Sequence, residues 1–321
     1  MLKIIDTCTD PCRNLAAEEY ILTHFDVPVF RLWRNSDAII VGRYQNAEAE
    51  IDRAFVQKAD IPVVRRMTGG GAVFHDSGNI NYSFFNFTEE ASCGGGFTDI
   101  IKEALRGLGL AVTSSGRNDI LLGGCKISGT AVCKQGGRVL QHGTLLFDAR
   151  LDRLAGALKP RPEKFEGKGV KSVRSRVTNI AEHLPRPMTA DEFFEYMGGI
   201  LPEAQIYTYS EADLQAIELL RREKYASYDW NFGRSPAYNF KNIKKFPSAL
   251  VEVYASVEEG RLAKIDIRGD YFFKRPTEEL CALLEGCPME KEKIADRLRD
   301  VAVDDYIRGL TIDLFESLLL F

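Results

Sequence analysis

The segment RRMTGGGAVFHD, Arg65 to Asp76, gathers residue types that hold an anion. Three consecutive glycines let a ligand approach the backbone because no Cβ intervenes, and their amides can turn toward phosphate or carboxylate oxygens. Arg65 and Arg66 precede the run, Thr68 adds a hydroxyl, and His75 and Asp76 follow an apolar stretch. This chemistry leaves both an anion site and a structural turn open. A second glycine run, CGGGF from Cys93 to Phe97, stands between a strand pattern and a helix pattern without charged neighbours and reads as a loop. Neither a GxxxxGK[ST] loop nor a GxGxxG turn opening a helix is present, which argues against a P-loop or dinucleotide site.

A second cluster, GRNDILLGGCKISGTA from Gly116 to Ala131, sets Asn118 and Asp119 before a strand and Lys126 between a glycine turn and Ser128-Gly129. A lysine so placed can bring a point charge to a developing oxyanion or a phosphate; a solvated surface lysine is the alternative. Asp119 suits the magnesium that accompanies a nucleoside triphosphate, because that ion needs only one or two protein carboxylates. The four histidines, His24, His75, His142 and His183, are isolated and lack metal-ligand spacing. His142, inside a strand pattern, reads as a core histidine satisfied by backbone. The run from Lys159 to Arg176 carries seven Lys or Arg against two Glu, among prolines and glycines. It reads as a solvated loop or as a segment that meets ATP phosphates or an acidic partner.

The elements that must position these groups alternate in type. Val29–Trp33, Ala38–Gly42, Pro62–Arg66, Ala72–His75 and Ile80–Phe87 read as strands, as do Asp119–Leu122 and Arg138–Phe147. Ala47–Ala59 has helical composition. In Phe97–Leu110 a single face carries Ile100, Ile101, Ala104, Leu105 and Leu108, with Thr98 or Asp99 as cap and Gly109 as stop. Thr189-Ala190-Asp191-Glu192 has capping-box form ahead of another helix, and one more runs on from Ser210. Lys241–Ser248, polar with a proline, reads as a linker; Leu250–Gly269 reads as a hairpin turning at Glu259-Gly260, and helical patterns fill Thr277 to Phe321. Strands and helices of mixed spacing indicate an α+β architecture, divided near residue 245.

The 321 residues are 45% hydrophobic, enough for a substantial core, and 42 Lys+Arg against 46 Asp+Glu leave a net charge of −4, without the basic excess of a nucleic-acid binder. The first residues lack the apolar core of a secretory signal, and no run approaches the ~18 apolar residues of a membrane span. The expected address is the cytoplasm, or an organelle matrix if a targeting segment has been removed. Seven cysteines, an odd number without two-residue spacing, read as reduced thiols.

Taken together, NLAAEEYI (Asn14 to Ile21), FRLWRNSDAIIVGRYQN (Phe30 to Asn46), RRMTGGGAVFHDSGNINYSF (Arg65 to Phe84), GRNDI (Gly116 to Ile120), KISGTA (Lys126 to Ala131), HGTLLFD (His142 to Asp148), KSVRSRVTNI (Lys171 to Ile180) and WNFGRSP (Trp230 to Pro236) resemble the blocks of the lipoate–protein ligase A family, in that family's order. The resemblance implies a catalytic domain over 1–244, like those of biotin ligases and class II aminoacyl-tRNA synthetases, and a small α+β accessory domain over 245–321. It implies activation of lipoate by ATP and magnesium to lipoyl-adenylate. The lipoyl group then passes to a lysine of the lipoyl domains of 2-oxoacid dehydrogenase complexes or of the glycine cleavage H protein; octanoate is a further substrate to consider. The accessory domain is expected to reorient between the two half-reactions.

Carried over by residue, Arg66, Thr68, Gly71, Ala72, Val73 and Phe74 would meet the nucleotide. Lys126 would contact both the acyl carbonyl and the phosphate, Leu15, Trp33, Ile40 and His75 would line the slot for the dithiolane and its chain, and Asp119 would help with magnesium. Cys133 stands where some members have a polar or basic residue that could reach the adenylate. The rival reading is an acyltransferase that moves lipoyl or octanoyl groups between carrier proteins through a cysteine thioester. Its nucleophile should lie just before His142-Gly143 or shortly before Asn118-Asp119, and those stretches read VLQ and SSGR. A biotin ligase should carry a GRGRxGR-like loop, which RRMTGGG is not. A non-catalytic binder of acceptor domains is the third reading, against which the retained Lys126 speaks.

Overall fold

The structure is a computed structural model that describes residues 1–45, 47–51, 56, 58–86, 96–115, 118–151, 177–232, 240–258 and 260–319. A large mixed sheet forms its framework. It contains β1 (Leu2–Ile5), β2 (Val29–Arg34), β6 (Asn79–Phe85), β7 (Val112–Ser115), β8 (Asp119–Leu122), β9 (Cys125–Gln135), β10 (Arg138–Leu146) and β11 (Gln205–Ile206), in the order β11-β1-β2-β6-β10-β9-β8-β7. β1 runs parallel to both neighbours and the remaining pairs are antiparallel. A small sheet, β4-β3-β5, is built from β3 (Ala38–Val41), β4 (Val63–Arg65) and β5 (Val73–His75) and carries the glycine run between its last two strands.

β6 decides what this framework is for. Its sequence NINYSFF is buried at every position, so both faces are covered. Ile80, Tyr82 and Phe84 join one apolar core with Phe30, Leu32, Ile101 and Phe193. Successive side chains alternate between faces, so Asn79, Asn81 and Ser83 point the other way, where polar groups need partners. Over that second face lies α1 (Pro11–His24), which begins at a Pro after Asp10, whose carboxylate accepts from the Cys12 and Arg13 amides at 2.8 and 3.2 Å. Its Leu15, Ala16, Ala17 and Ile21 pack with Trp33, Ile40 and Leu140 in a second core.

The expected strands at Val29, Ala38, Pro62, Ala72, Ile80, Asp119 and Arg138 form within a residue or two of their expected bounds. Phe87 and parts of the Ala47–Ala59 helix lie outside the described residues, as do Cys93–Gly95 and the basic run Lys159–Arg176. α1, β1, β7 and β9 are elements the patterns did not reveal. β9 reads CKISGTAVCKQ, too small and polar to look like a strand, yet it is held by partners on both sides. α2 (Gly96–Gly107) starts earlier than expected, which puts Thr98 and Asp99 inside its first turn rather than at its cap. The capping box at Thr189 is present: Glu192 N–H donates to the Thr189 hydroxyl at 3.2 Å, and Thr189 N–H to the Glu192 carboxylate at 2.7 Å.

The expected linker over Lys241–Ser248 is a correction. Phe240–Phe246 forms β12, paired antiparallel with β13 (Ala249–Glu258), which pairs with β14 (Arg261–Asp270). Phe240 and Phe246 are buried at its ends while Lys241, Lys244 and Lys245 face out, so an edge strand imitates a polar connector. A division near 245 would therefore cut a strand. Four helices, Thr277–Leu284, Lys291–Leu298, Val303–Tyr306 and Ile312–Leu319, cover this sheet around Val251, Val253, Ile267, Leu280 and Phe315. Tyr44, from the first half of the chain, belongs to the same core: its ring stacks on Tyr271 at 5.3 Å and its hydroxyl donates to Glu278 at 2.8 Å. Among the described residues no helix is long and apolar enough to cross a membrane.

Candidate active site

A cavity of about 260 Å³ opens between the second face of the large sheet and the small sheet. Leu15, Trp33, Ile40, Arg66, Gly71, Ala72, Val73, Phe74, His75 and Lys126 all line it, so ten of the residues singled out in the sequence converge on one space. Thr68 and Asp119 stand just behind its wall. Leu15, Trp33 and Ile40 make one end apolar and deep. Lys126 marks the opposite end, partly exposed, its ammonium 2.8 Å from the Asp119 carboxylate. The flexible end of Lys126 rests on Gly129: a Cβ there would lie 2.7 Å from the ammonium and would push it aside.

The two arginines have different tasks. Arg65 was expected beside the anion, but its guanidinium donates to the carbonyls of Gly42, Arg43, Gln45, Trp230 and Asn231 at 2.6–3.0 Å, so it stitches loops together and does not line the cavity. Arg66 braces the glycine turn, donating to Thr68 Oγ1 at 2.9 Å, Ile40 O at 3.1 Å, Gly69 O at 2.6 Å and Gly71 O at 2.9 Å. Burial lowers its pKa to about 10, and the carboxylates of Asp270 and Glu18 oppose that shift.

The glycine turn itself is partly spent. Gly70, at φ +91°, donates its N–H to Tyr271 O at 3.0 Å, and a Cβ on Gly69 would stand 2.2 Å from that same oxygen. Asp270 lies against Gly71, and Phe272 contributes to the cavity wall. The β12–β14 unit therefore caps the turn in this arrangement, a contact that sequence reasoning did not anticipate.

His142 is also a correction. It is buried and lines the cavity, but side chains satisfy it: Nδ1 donates to the Glu18 carboxylate at 2.9 and 3.0 Å, and Nε2 meets Thr68 Oγ1 at 2.8 Å. Ser83 donates to Glu18 at 2.6 Å and accepts from Trp33 Nε1 at 2.8 Å. Burial alone would raise the Glu18 pKa; His142 and Ser83, through charge and hydrogen bonds, outweigh it and hold the carboxyl below its ordinary value. The network locks Trp33 and Thr68 in place. Glu18, Asn79, Asn81 and Phe272 were all missed as site residues, although the buried alternation Asn-Ile-Asn-Tyr-Ser in β6 carried the signal for two of them.

His75 stands beside the Trp33 ring, 6.3 Å between centroids. Burial, with Arg66 nearby, lowers its pKa to about 3, so the ring is neutral. Among the described residues no cysteine lines the cavity. Cys133 packs with Leu15 and Trp33 beneath the wall, and burial pushes its thiol up to about 11. Such a thiol is a poor nucleophile.

Residues 10–199 match the family model of the lipoyl protein ligase A/B catalytic domain, and residues 235–319 that of the bacterial lipoate protein ligase C-terminus. The chain belongs to the lipoyl protein ligase A/B family. This family member is 39% identical to lipoate-protein ligase LplJ of Bacillus subtilis over 97% of both chains. A crystal structure of lipoate-protein ligase A bound with ATP shares 28% identity and a TM-score of 0.63, covering 72% of this chain and 98% of that one. A bipartite lipoate protein ligase from Thermoplasma acidophilum, solved in a study that includes its E2 lipoyl domain, shares 28% identity and a TM-score of 0.64 over 74% and 98%. LipL1 of P. falciparum, in complex with lipoate, has the same fold at a TM-score of 0.77 and 21% identity over 98% of both chains. The α+β architecture of lipoate ligases, with its C-terminal accessory domain, is thus the fold of this lipoyl protein ligase A/B chain.

Proposed function

We propose that the cavity is where lipoate is activated by ATP and passed on as a lipoyl group to a lysine of an apo lipoyl domain. The chain is an ATP-dependent lipoate–protein ligase. One observation carries this reading: a single cavity is apolar at Leu15, Ile40 and Trp33, cationic at Lys126, and lined by no described cysteine. The apolar depth suits the dithiolane and its chain, and the lysine suits a carboxylate turned into an acyl phosphate. A carboxylate is a poor electrophile, so ATP must supply the leaving group where no thiol can. Family membership and the ATP-bound relative support the same choice over a thioester acyltransferase.

In the proposed roles, Lys126 neutralises the phosphate and steadies the acyl carbonyl. Gly71, Ala72, Val73 and Phe74 cradle the nucleotide while Arg66 and Thr68 hold that turn in shape. Catalysis then rests on positioning. Magnesium fits with Asp119 as its one carboxylate, since among the described residues no three His, Cys, Asp or Glu side chains converge on a point. It would supply charge to the triphosphate. The catalytic unit runs to the segment before Phe240 and the accessory unit follows it. A cytoplasmic address, lipoyl domains of 2-oxoacid dehydrogenase complexes or the glycine cleavage H protein as acceptors, and octanoate as a second acid complete the proposal.

The test combines the protein with ATP, magnesium, lipoate and an apo lipoyl domain, following pyrophosphate release and the acceptor's mass. Both should rise together. Modification from an acyl-carrier donor alone, or no pyrophosphate, would give the site to the acyltransferase reading.

A further inference from the structure

A row of residues crosses the floor of the cavity from strand to strand. Trp33 on β2 pairs with Asn81 on β6, and Asn81 with Thr144 on β10. The Thr144 hydroxyl accepts from Gly129 N–H on β9 at 3.4 Å, and Gly129 pairs in turn with Asp119 on β8. Neighbouring strands lie about 4.8 Å apart, so the row spans about 14 Å from Trp33 to Gly129. Thr144 stands two strands from Trp33 and directly beside Gly129, on which the end of Lys126 rests. It therefore belongs to the cationic end of the cavity. By strand alternation it shares a face with His142 and Leu146; all three line the cavity, and Thr144 is half-buried.

The sheet forks at this row. The pairing of β9 with β10 runs from Gln135 and Arg138 to Thr130 and Gly143 and stops there. Beyond it the chain from Val177 joins the two strands: Val177 bridges Lys126, Thr178 N–H donates to Lys126 O at 3.2 Å, and Ile180 N–H donates to Leu146 O at 2.7 Å. On its other side β9 slips in register against β8, with Ser128 opposite Ile120 and Lys126 opposite Leu121, so Ile127 is an extra residue. Such a bulge re-aims the side chains next to it, and here the Lys126 ammonium comes back over Gly129. The fork leaves Gly129 N–H to the Thr144 hydroxyl in place of a ladder carbonyl.

Two hydroxyls line the cavity among the described residues, those of Thr130 and Thr144. Thr130 gives its hydrogen to Asn118 O at 3.2 Å. Thr144 accepts from Gly129, and among the described residues no group takes its hydrogen. That hydrogen rotates about the C–O bond and is free for a ligand. The cationic end thus offers one fixed charge, on Lys126, and one neutral donor beside it. A full negative charge is answered by the lysine. A neutral donor best complements charge that appears only during reaction, as on a carbonyl oxygen turning into an oxyanion.

We infer that Thr144 is a catalytic residue of the transfer step, its hydroxyl donating to the carbonyl oxygen of the lipoyl group while Lys126 faces that oxygen and the departing phosphate. The inference rests on the ligase reading and deepens it. The acceptor's free amine attacks the acyl carbon, a C–N bond forms, and the carbonyl π pair moves to oxygen. Collapse restores the carbonyl, breaks the bond from acyl carbon to phosphate oxygen, and releases AMP with that electron pair; the nitrogen's proton leaves to solvent. The hydrogen bond from Thr144 strengthens as the oxygen gains charge, and the Gly129 N–H already holds the hydroxyl in place, so little reorganisation is needed.

The experiment supplies synthetic lipoyl-adenylate and an apo lipoyl domain to wild type, Thr144→Val, Thr144→Ser and Thr144→Ala, in single turnover. First-turnover pyrophosphate release from ATP and lipoate is measured without acceptor, and lipoate affinity is read from tryptophan fluorescence. Valine keeps the shape and removes the hydroxyl, so Thr144→Val should slow transfer about 100-fold at saturating adenylate, while Thr144→Ser keeps the donor and should recover most of the rate. Adenylate formation develops no oxyanion on the acyl carbon, so transfer should fall at least about tenfold more than pyrophosphate release. If Thr144→Val does not fold by circular dichroism, Thr144→Ala decides. Transfer within about threefold of wild type, a loss confined to lipoate affinity, or equal losses in both half-reactions, as a displaced Lys126 would give, overturns the donor role while the ligase reading stands. Wild type that transfers from adenylate yet releases no pyrophosphate from ATP and lipoate overturns the ligase reading and leaves the donor role. Wild type inactive with adenylate overturns both.

Discussion

Lys126 is the residue on which the proposed activation step depends most. Lys126→Ala should lower pyrophosphate release at least about 100-fold while circular dichroism stays unchanged, because its partly exposed ammonium supports no core. A variant that releases pyrophosphate at the wild-type rate would remove Lys126 from the mechanism. His75 makes a second prediction, in stability. Its ring titrates near 3 when folded because burial disfavours the charged form, and near 6.5 when unfolded. Between those values the unfolded chain binds a proton that the folded chain refuses, so stability falls as pH drops below about 6.5, by at most about 1.4 kcal/mol per unit. Urea midpoints at pH 7, 6 and 5 should decline, and the decline should be shallower in His75→Phe; a flat wild-type profile would contradict this. At this scale the sequence showed residue type well and orientation poorly. Lys126 and His75 stood out, but the His75 ring is held by Asn35 and that in turn by Asn14, far away in the chain, and Arg65 turned out to serve backbone carbonyls that only the fold assembles.

The glycine run shows the same division between elements. Its backbone freedom was readable from three letters, whereas its neighbour was not, because Tyr271 lies two hundred residues downstream. Gly69→Ala puts a methyl group into Tyr271 O and should cost about 1–3 kcal/mol. Faster hydrogen exchange at Gly70 and an unchanged core should accompany it; protection equal to wild type would show that the contact is dispensable. Strands with apolar alternation were legible, and β9 was not, since Gly129, Thr130 and Ala131 are small in order to leave the cavity open. β12 hid for the opposite reason: as an edge strand it exposes lysines that imitate a connector.

Across the whole molecule, two units meet around Tyr44. Its ring lies in the second unit's core, its hydroxyl is held by Glu278, and Arg43 reaches the same carboxylate at 3.4 Å. Tyr44→Ala should destabilise the docked arrangement by about 3 kcal/mol, separating thermal unfolding into two transitions. A single transition at the wild-type midpoint would argue that the ring carries no docking energy. The division into two units was readable in outline from the change of composition, and its position was not, because β12 disguises the border.

That shared ring also bears on how the protein can be handled. A shortened chain ending before Phe240 would uncover Tyr44, strip the Gly70 amide of its acceptor and leave Arg43 without Glu278. A separate piece beginning there would lack the ring that fills its own interior. Each fragment would carry half of an adhesive aromatic seam, so self-association and poor yield on expression are to be expected, and co-production of the two pieces should restore solubility to both.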